Sequence, residues 1–334
     1  LLVHRLFERA GTGGAVLALG ARPPRPGDLE EQQLVNLVAE MAIAAGIPPP
    51  RVLVLDGERP NAACVGRSAD DATVIVGRRI LDELDRDATQ GVIGHLVASI
   101  ANGDLRIAFV TVSVFKTFGL MLTLFDAAVS PAARVALRRL RMFARGARDP
   151  AGSAGEADLV AAMLAEGATF ARLDDANAAM QRALDGVRGG GFLNPLRMAR
   201  LGIFVPYVLA SLFTRFVLLV TIGLLMGPLV ALAWRARRYL ADATAVQLMR
   251  YPDGLARGLA WLVDHGASVR GAEWAAHLFI VGPSRKAPGS GDEPTFARQV
   301  GIPIGFHPAL PRRLRRLTRL GAAGQGTRQR SRLM

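Results

Sequence analysis

The stretch with the clearest chemical content is HLVAS, residues 95–99. Two histidines spaced i, i+4 on one helix face bind zinc, and a glutamate after the first of them activates a bound water. Here His95 holds the first position of that pattern, Leu96 stands where the glutamate would be, and Ser99 stands where the second histidine would be. A serine hydroxyl is a poor zinc ligand beside imidazole, and leucine cannot accept a proton from water. By itself an HxxxS spacing says little, and its surroundings decide how it is read.

The surrounding elements are those that such a site needs. Asp85 or Asp87 can cap a helix that carries His95 and ends at Gly103. Before it, β-rich runs near residues 52–55, 62–65 and 73–76 are broken by turn signals and read as short strands. An amphipathic helix, LEEQQLVNLVAEMAIAAG, starts after Asp28 and closes at Gly46. Residues 107–125 and 203–234 are apolar runs of membrane-spanning length, interrupted by Lys116 and Arg215. The longer second run is the stronger candidate, and buried core helices are the alternative for both. A charge at mid-bilayer costs about 2.5–3.5 kcal/mol on insertion scales, so Lys116 and Arg215 need a partner, water or a shallow position.

The chain has 334 residues, a net charge of +13 and 51% hydrophobic residues. That suits anionic lipid headgroups. The basic runs lack interleaved aromatics, so nucleic acid is not an expected partner. A single cysteine, Cys64, excludes an intrachain disulfide and a cysteine-rich zinc finger. The sequence begins at Leu1 rather than methionine, and residues upstream of it are expected. Residues 1–27 read as a juxtamembrane linker, and residues 321–334 as a disordered basic tail. PRRLRRLTRL puts Leu314, Leu317 and Leu320 on one stripe of a short basic helix, docked or bound to headgroups.

Residues 60–104 resemble the HtpX family of membrane-bound zinc metalloendopeptidases. That family has Pro-Asn-Ala-Phe-Ala-x-Gly, a β-hairpin, a short helix, and an HExxH helix ending in Asn-x-Asp. Pro60, Asn61, Ala62, Gly66, His95, Asn102 and Asp104 occupy those positions here. The family's Glu-x-x-x-Ala-Asp helix, source of the third zinc ligand, is matched by RRYLADATAVQL, with Ala241 and Asp242 kept and Arg238 in place of glutamate. AHLFIVGP and HPALPRRLRRL resemble its C-terminal segments.

The resemblance implies a mainly α fold with a small β-hairpin sheet, a zincin-like α+β peptidase fold with an inserted membrane helical hairpin. Residues 28–106 and 235–320 would form the peptidase-like domain. Residues 107–234 would hold the spans, with 126–202 inserted between them. It also implies a multi-pass protein of the bacterial cytoplasmic membrane. Only His95 remains of three zinc ligands and one base, so a non-catalytic homologue with no cofactor is expected. Its partners would be membrane lipids and a membrane or unfolded protein segment bound in the former cleft. Strand 62–65 or 73–76 would offer its edge to such a segment. The alternative is an active endopeptidase holding Zn through other ligands, drawn from Asp242, His265, Glu273, His277, His307 and Cys64. EWAAH has the i,i+4 spacing for that, though each residue also has an ordinary structural reading. Arg238 is expected to pair with Asp242 at i+4, worth about 0.2–0.5 kcal/mol if exposed. Held there, it would take the metal position and reach towards His95 or Ser99.

Overall fold

The computed structural model describes residues 2–10, 12–57, 59–127, 130–146, 153–165, 181, 195–267, 273–282 and 305–331. Most of these are helical, around one three-stranded sheet, so the mainly α architecture with a small sheet holds. The centre is α5 (Arg86–Ala101), capped by the Asp85 side chain on the Ala88 amide, with residues 91–100 all buried. Around it lie α3 (Leu29–Ala45), α10 (Gly227–Met249), α11 (Pro252–Asp264) and strand β2 (Ala62–Val65). A helix buried on all sides needs apolar or small residues on all sides, and VIGHLVASI supplies them. The close approach to α11 depends on Gly91, where a Cβ would sit 2.4 Å from the Leu255 amide nitrogen.

The sheet order is β1 (Arg51–Leu55), β3 (Thr73–Gly77), β2. β2 and β3 form the expected antiparallel pair, and β1 adds to β3 in parallel. β3 is therefore central and offers no edge. β2 has an outer edge, but Phe279 bridges Ala63 and the Ile280 amide donates to the Ala62 carbonyl at 2.8 Å. The outer edge of β1 is met by Arg22, which exchanges both backbone hydrogen bonds with Val54. The expectation of a free strand edge is corrected at these positions: the chain's own segments satisfy the unpaired groups that edge strands expose.

Residues 2–19 are not a linker. They form α1 (Leu2–Ala10) and α2 (Gly13–Leu19). Phe7 and Leu19 are buried, and their apolar contacts drive the docking. α1 packs on α6 (Asp104–Asp126) and α8 (Ser153–Ala165). Helix α12 (Leu310–Ser331) likewise continues beyond Leu320, where a disordered tail was expected. Its first turns are docked through Arg313 and Leu317, so the nucleation cost is already met and no proline interrupts propagation.

Among the described residues α6 is the one helix long and apolar enough to cross a membrane. Its hydroxyls bond back into the helix, Thr111 to the Ile107 carbonyl and Thr123 to the Gly119 carbonyl. Lys116 Nζ donates to the Leu164 carbonyl at 2.7 Å, the partner that its charge requires. The stronger candidate from the sequence, residues 203–234, is instead divided among α9 (Pro195–Val220), a π-helical turn (Thr221–Met226) and the start of α10. The side chain of Arg215 and most of residues 166–194 lie outside the described residues. Basic α7 (Pro131–Gly146) starts at the proline that the sequence marks.

Replacing Gly91 by alanine forces α5 and α11 apart at backbone. Overpacking of this kind costs about 1–3 kcal/mol. The expected result is a lowered midpoint in thermal unfolding. An unchanged midpoint would show that the α5–α11 contact does not set stability.

Candidate active site

His95, Leu96 and Ser99 lie side by side on α5 and are fully buried. Opposite them, α10 presents Trp234, Arg238 and Asp242, all buried. The two helices are held in register near the end of α5. Arg237 Nε donates to Asp104 Oδ1 at 2.5 Å, its NH2 donates to the Asn102 carbonyl, and Asn102 Nδ2 donates to Thr244 Oγ1 at 3.2 Å. The Asn102 and Asp104 positions of the motif therefore fasten one wall of the site to the other.

Arg238 is buried, with 2% of its surface exposed. One guanidinium nitrogen lies 3.4 Å from His95 Nε2. The other donates at 2.6 Å to both the His277 and Phe279 carbonyls. The guanidinium carbon sits 5.7 Å from the centre of the Trp234 ring, within cation–π range. Burial works against its charge and pulls its pKa below the ordinary arginine value. Ser99 Oγ meets no aligned partner.

The pairing expected between Arg238 and Asp242 does not form. Asp242 is held by Arg313, which the sequence reading passed over as one of many basic residues on α12. Arg313 donates to both carboxylate oxygens, at 2.8 and 2.5 Å, and to the Ile280 carbonyl at 2.9 Å. A planar fork matches a carboxylate better than a single-ended contact along one helix. The spacing of Arg313 four residues before buried Leu317 was the available signal. Asp242 Oδ1 also lies 2.8 Å from His95 Nδ1, close but not aligned as a hydrogen bond. Burial favours the neutral acid, yet Arg313 and His95 outweigh it and hold Asp242 below the usual carboxylate range. Burial pushes His95 down to about 4, with Asp242 opposing, so the imidazole is neutral near pH 7.

The other candidate ligands do not converge. His265 is exposed at the end of α11, stacked on Trp261 at 4.4 Å. Residues 273–275 form a 3-10 turn rather than an α-helix, so EWAAH does not present Glu273 and His277 on one helical face. His277 packs against Trp234 and Phe306. His307 Nε2 donates to the Ala276 carbonyl at 2.7 Å. Cys64 is buried on β2, its thiol pushed up to about 12 by burial. Asn61, from the Pro-Asn-Ala motif, donates to the Val281 carbonyl at 3.0 Å and accepts from the Ala62 amide. Among the described residues no three His, Cys, Asp or Glu side chains group as a metal-binding set.

The comparisons with known proteins agree with this architecture. The family model for peptidase family M48 matches residues 28–320. The chain belongs to peptidase family M48. It is 27% identical over 294 residues to a protein named protease HtpX homolog from Dictyoglomus turgidum, covering 87% of this chain and 70% of that one. A protein of the same name from Thermoanaerobacter pseudethanolicus is 27% identical over 312 residues, 92% of this chain and 77% of its own length. A shorter match, 33% over 135 residues, is to protease HtpX of Xanthomonas oryzae, covering 39% and 44%. No solved structure matches. M48 enzymes are zinc metallopeptidases, so the fit of zinc to these donors can be tested directly. It is poor. The Nε2 of His95 faces a guanidinium rather than a cavity, and Asp242 is engaged by Arg313. A cation placed there would meet the fixed charge of Arg238.

Two outcomes follow. Arg313→Ala strands a buried carboxylate and is expected to cost about 3–5 kcal/mol in chemical denaturation, partly recovered by adding Asp242→Ala. His277 is pushed to about 3 by burial and by Arg238. An unfolded histidine titrates near 6.5, so between these values only the unfolded chain binds the proton. Stability therefore falls as pH drops from about 6.5 towards 3. His277→Phe should remove up to ~1.4 kcal/mol per pH unit of that slope, leaving the part due to His95 and His307. Equal pH dependence in both chains would sink the assignment.

Proposed function

We propose that this chain is a non-catalytic, membrane-embedded member of the M48 family that serves as a binding or scaffold protein. The observation that carries this is the guanidinium of Arg238, 3.4 Å from His95 Nε2, next to a general-base position occupied by buried Leu96. Without a base, water is not activated by this helix. With arginine at the third ligand position and serine at the second, His95 is the sole retained ligand position.

Multi-pass insertion in a bacterial cytoplasmic membrane is supported by apolar surface. Ile203, Leu209, Phe213, Phe216, Leu224 and Leu229 are each at least 59% exposed. A patch of that size left in water would be unusual for a soluble monomer, whereas lipid tails cover it without cost. The peptidase-like part, residues 28–106 with 235–320, would sit at the bilayer surface. The bound partner would be a membrane or unfolded protein segment.

A second reading is an active zinc endopeptidase with a different ligand set. The names of the relatives, proteases HtpX and its homologs, favour it. Zinc content of the purified full-length chain separates the two. The expected result is zinc at background in the unmodified chain and in His95→Ala alike, with no cleavage of casein. Near one zinc per chain, lost in His95→Ala, would overturn the non-catalytic reading.

A further inference from the structure

The charges around Arg238 do not balance. Arg237 is paired with Asp104, and Arg313 with Asp242. Arg238 lies within electrostatic range of Asp104, Asp242 and Arg313. Its own contacts are an imidazole nitrogen and two carbonyls, and among the described residues it forms no ion pair. It therefore adds one uncompensated positive charge to a region closed to solvent. Carbonyl dipoles lower the cost of such a charge without neutralising it.

The unpaired donors are found beside the same charge. Two of the three guanidinium nitrogens are engaged, and Nε meets no acceptor. One turn earlier on α10, Trp234 Nε1 meets none either, and its ring centre lies 5.7 Å from the guanidinium carbon. Opposite, on α5, Ser99 Oγ is also unpaired. The three side chains are at most 3% exposed. An indole nitrogen and a guanidinium nitrogen can only donate, and native interiors leave few such groups unmet. We infer that Arg238 Nε, Trp234 Nε1 and Ser99 Oγ form a binding site for one small monovalent anion of the chloride class, at the position where the resemblance implies zinc.

The charge count selects the ligand. One excess positive charge is matched by one negative charge, whereas a dianion such as sulfate would reverse the imbalance. Complete burial favours a compact ion over a bulky one. A water molecule would satisfy the donors and leave the charge unmatched. Asp104 opposes an anion, since its Oδ2 is unpaired too, but Arg237 on Oδ1 offsets its charge. The inference rests on the non-catalytic reading, because side chains arranged around an excess positive charge suit an anion and repel a divalent cation.

The test uses full-length protein in nanodiscs of zwitterionic phosphatidylcholine, with chloride as the probe. Gluconate, too large for a buried site, replaces chloride at constant ionic strength, so screening is unchanged. Equilibrium dialysis with radiolabelled chloride should give about one ion per chain, the number that balances the charge. The thermal midpoint should rise with chloride and level off as the site fills. Arg238→Met should abolish both effects. If that variant fails to fold, Trp234→Phe keeps the ring and removes one donor to a charged group, and should weaken chloride binding about tenfold. Trp261→Phe, on α11, should leave binding unchanged. No bound chloride in the unmodified chain, with a midpoint indifferent to chloride, overturns the anion site in favour of water. Chloride binding that persists in whichever site variant folds overturns its placement at Arg238. Zinc is measured on the same samples. Zinc at background without chloride overturns the anion site alone, whereas near one zinc per chain overturns the non-catalytic reading as well.

Discussion

Two guanidinium groups, Arg238 and Arg313, are buried beside one carboxylate, Asp242, and the surrounding structure has to compensate for three desolvated charges. Removing a charge from water costs several kcal/mol, recovered only by close partners with good geometry. Arg313 and Asp242 recover it from each other through a two-pronged contact. Arg238 has no carboxylate in hydrogen-bond contact, so its compensation comes from two carbonyls, an imidazole nitrogen and an indole face. The segment carrying those carbonyls cannot leave without exposing the cost of that buried charge. The position of residues 276–281 against β2 is thus tied to the charge state of the site, and α12 is tied in through Arg313.

The same constraint explains why α5 is apolar all round. Its neighbours approach on every side, and Gly91 and Gly94 let the backbone of α11 and the Met249 side chain come close. Only His95 and Ser99 interrupt the apolar run in the buried centre of the helix, and His95 is kept neutral by burial. A neutral imidazole between an anionic and a cationic group adds no net charge to a region already short of solvent.

Local signals in the sequence carried much of this. Asp28, Asp85 and Pro131 start helices where they stand, and the three short β-rich runs are the three strands. His95 on α5 and Arg238 on α10 come within 3.4 Å of each other. What escaped was non-local. Arg313 lies 71 residues from Asp242 in a helix with many arginines, and only its place four residues before Leu317 sets the buried one apart. The i,i+4 pairing of Arg238 with Asp242 was legible but lost to a partner with better fork geometry. Residues 2–19 are short amphipathic pieces whose helicity depends on docking to α6 and α8, a contact that periodicity cannot specify. An open edge was expected at strand 62–65 or 73–76, and that of β2 is covered by a segment more than 200 residues away.

The charge arithmetic of the site indicates how a peptidase architecture can tolerate these substitutions together. In the ligand set that the resemblance implies, a divalent cation with one carboxylate and two neutral histidines leaves a single positive charge. Arg238 with neutral His95 and Ser99 leaves a single positive charge as well. A glutamate kept at position 238 without a metal would bury a second carboxylate next to Asp242, and a neutral residue there would leave the His277 and Phe279 carbonyls without a donor. On the non-catalytic reading, Arg238 stands in for both the cation and its ligand. The fold is therefore retained on electrostatic grounds that are independent of catalysis, since a fold does not by itself carry a chemistry.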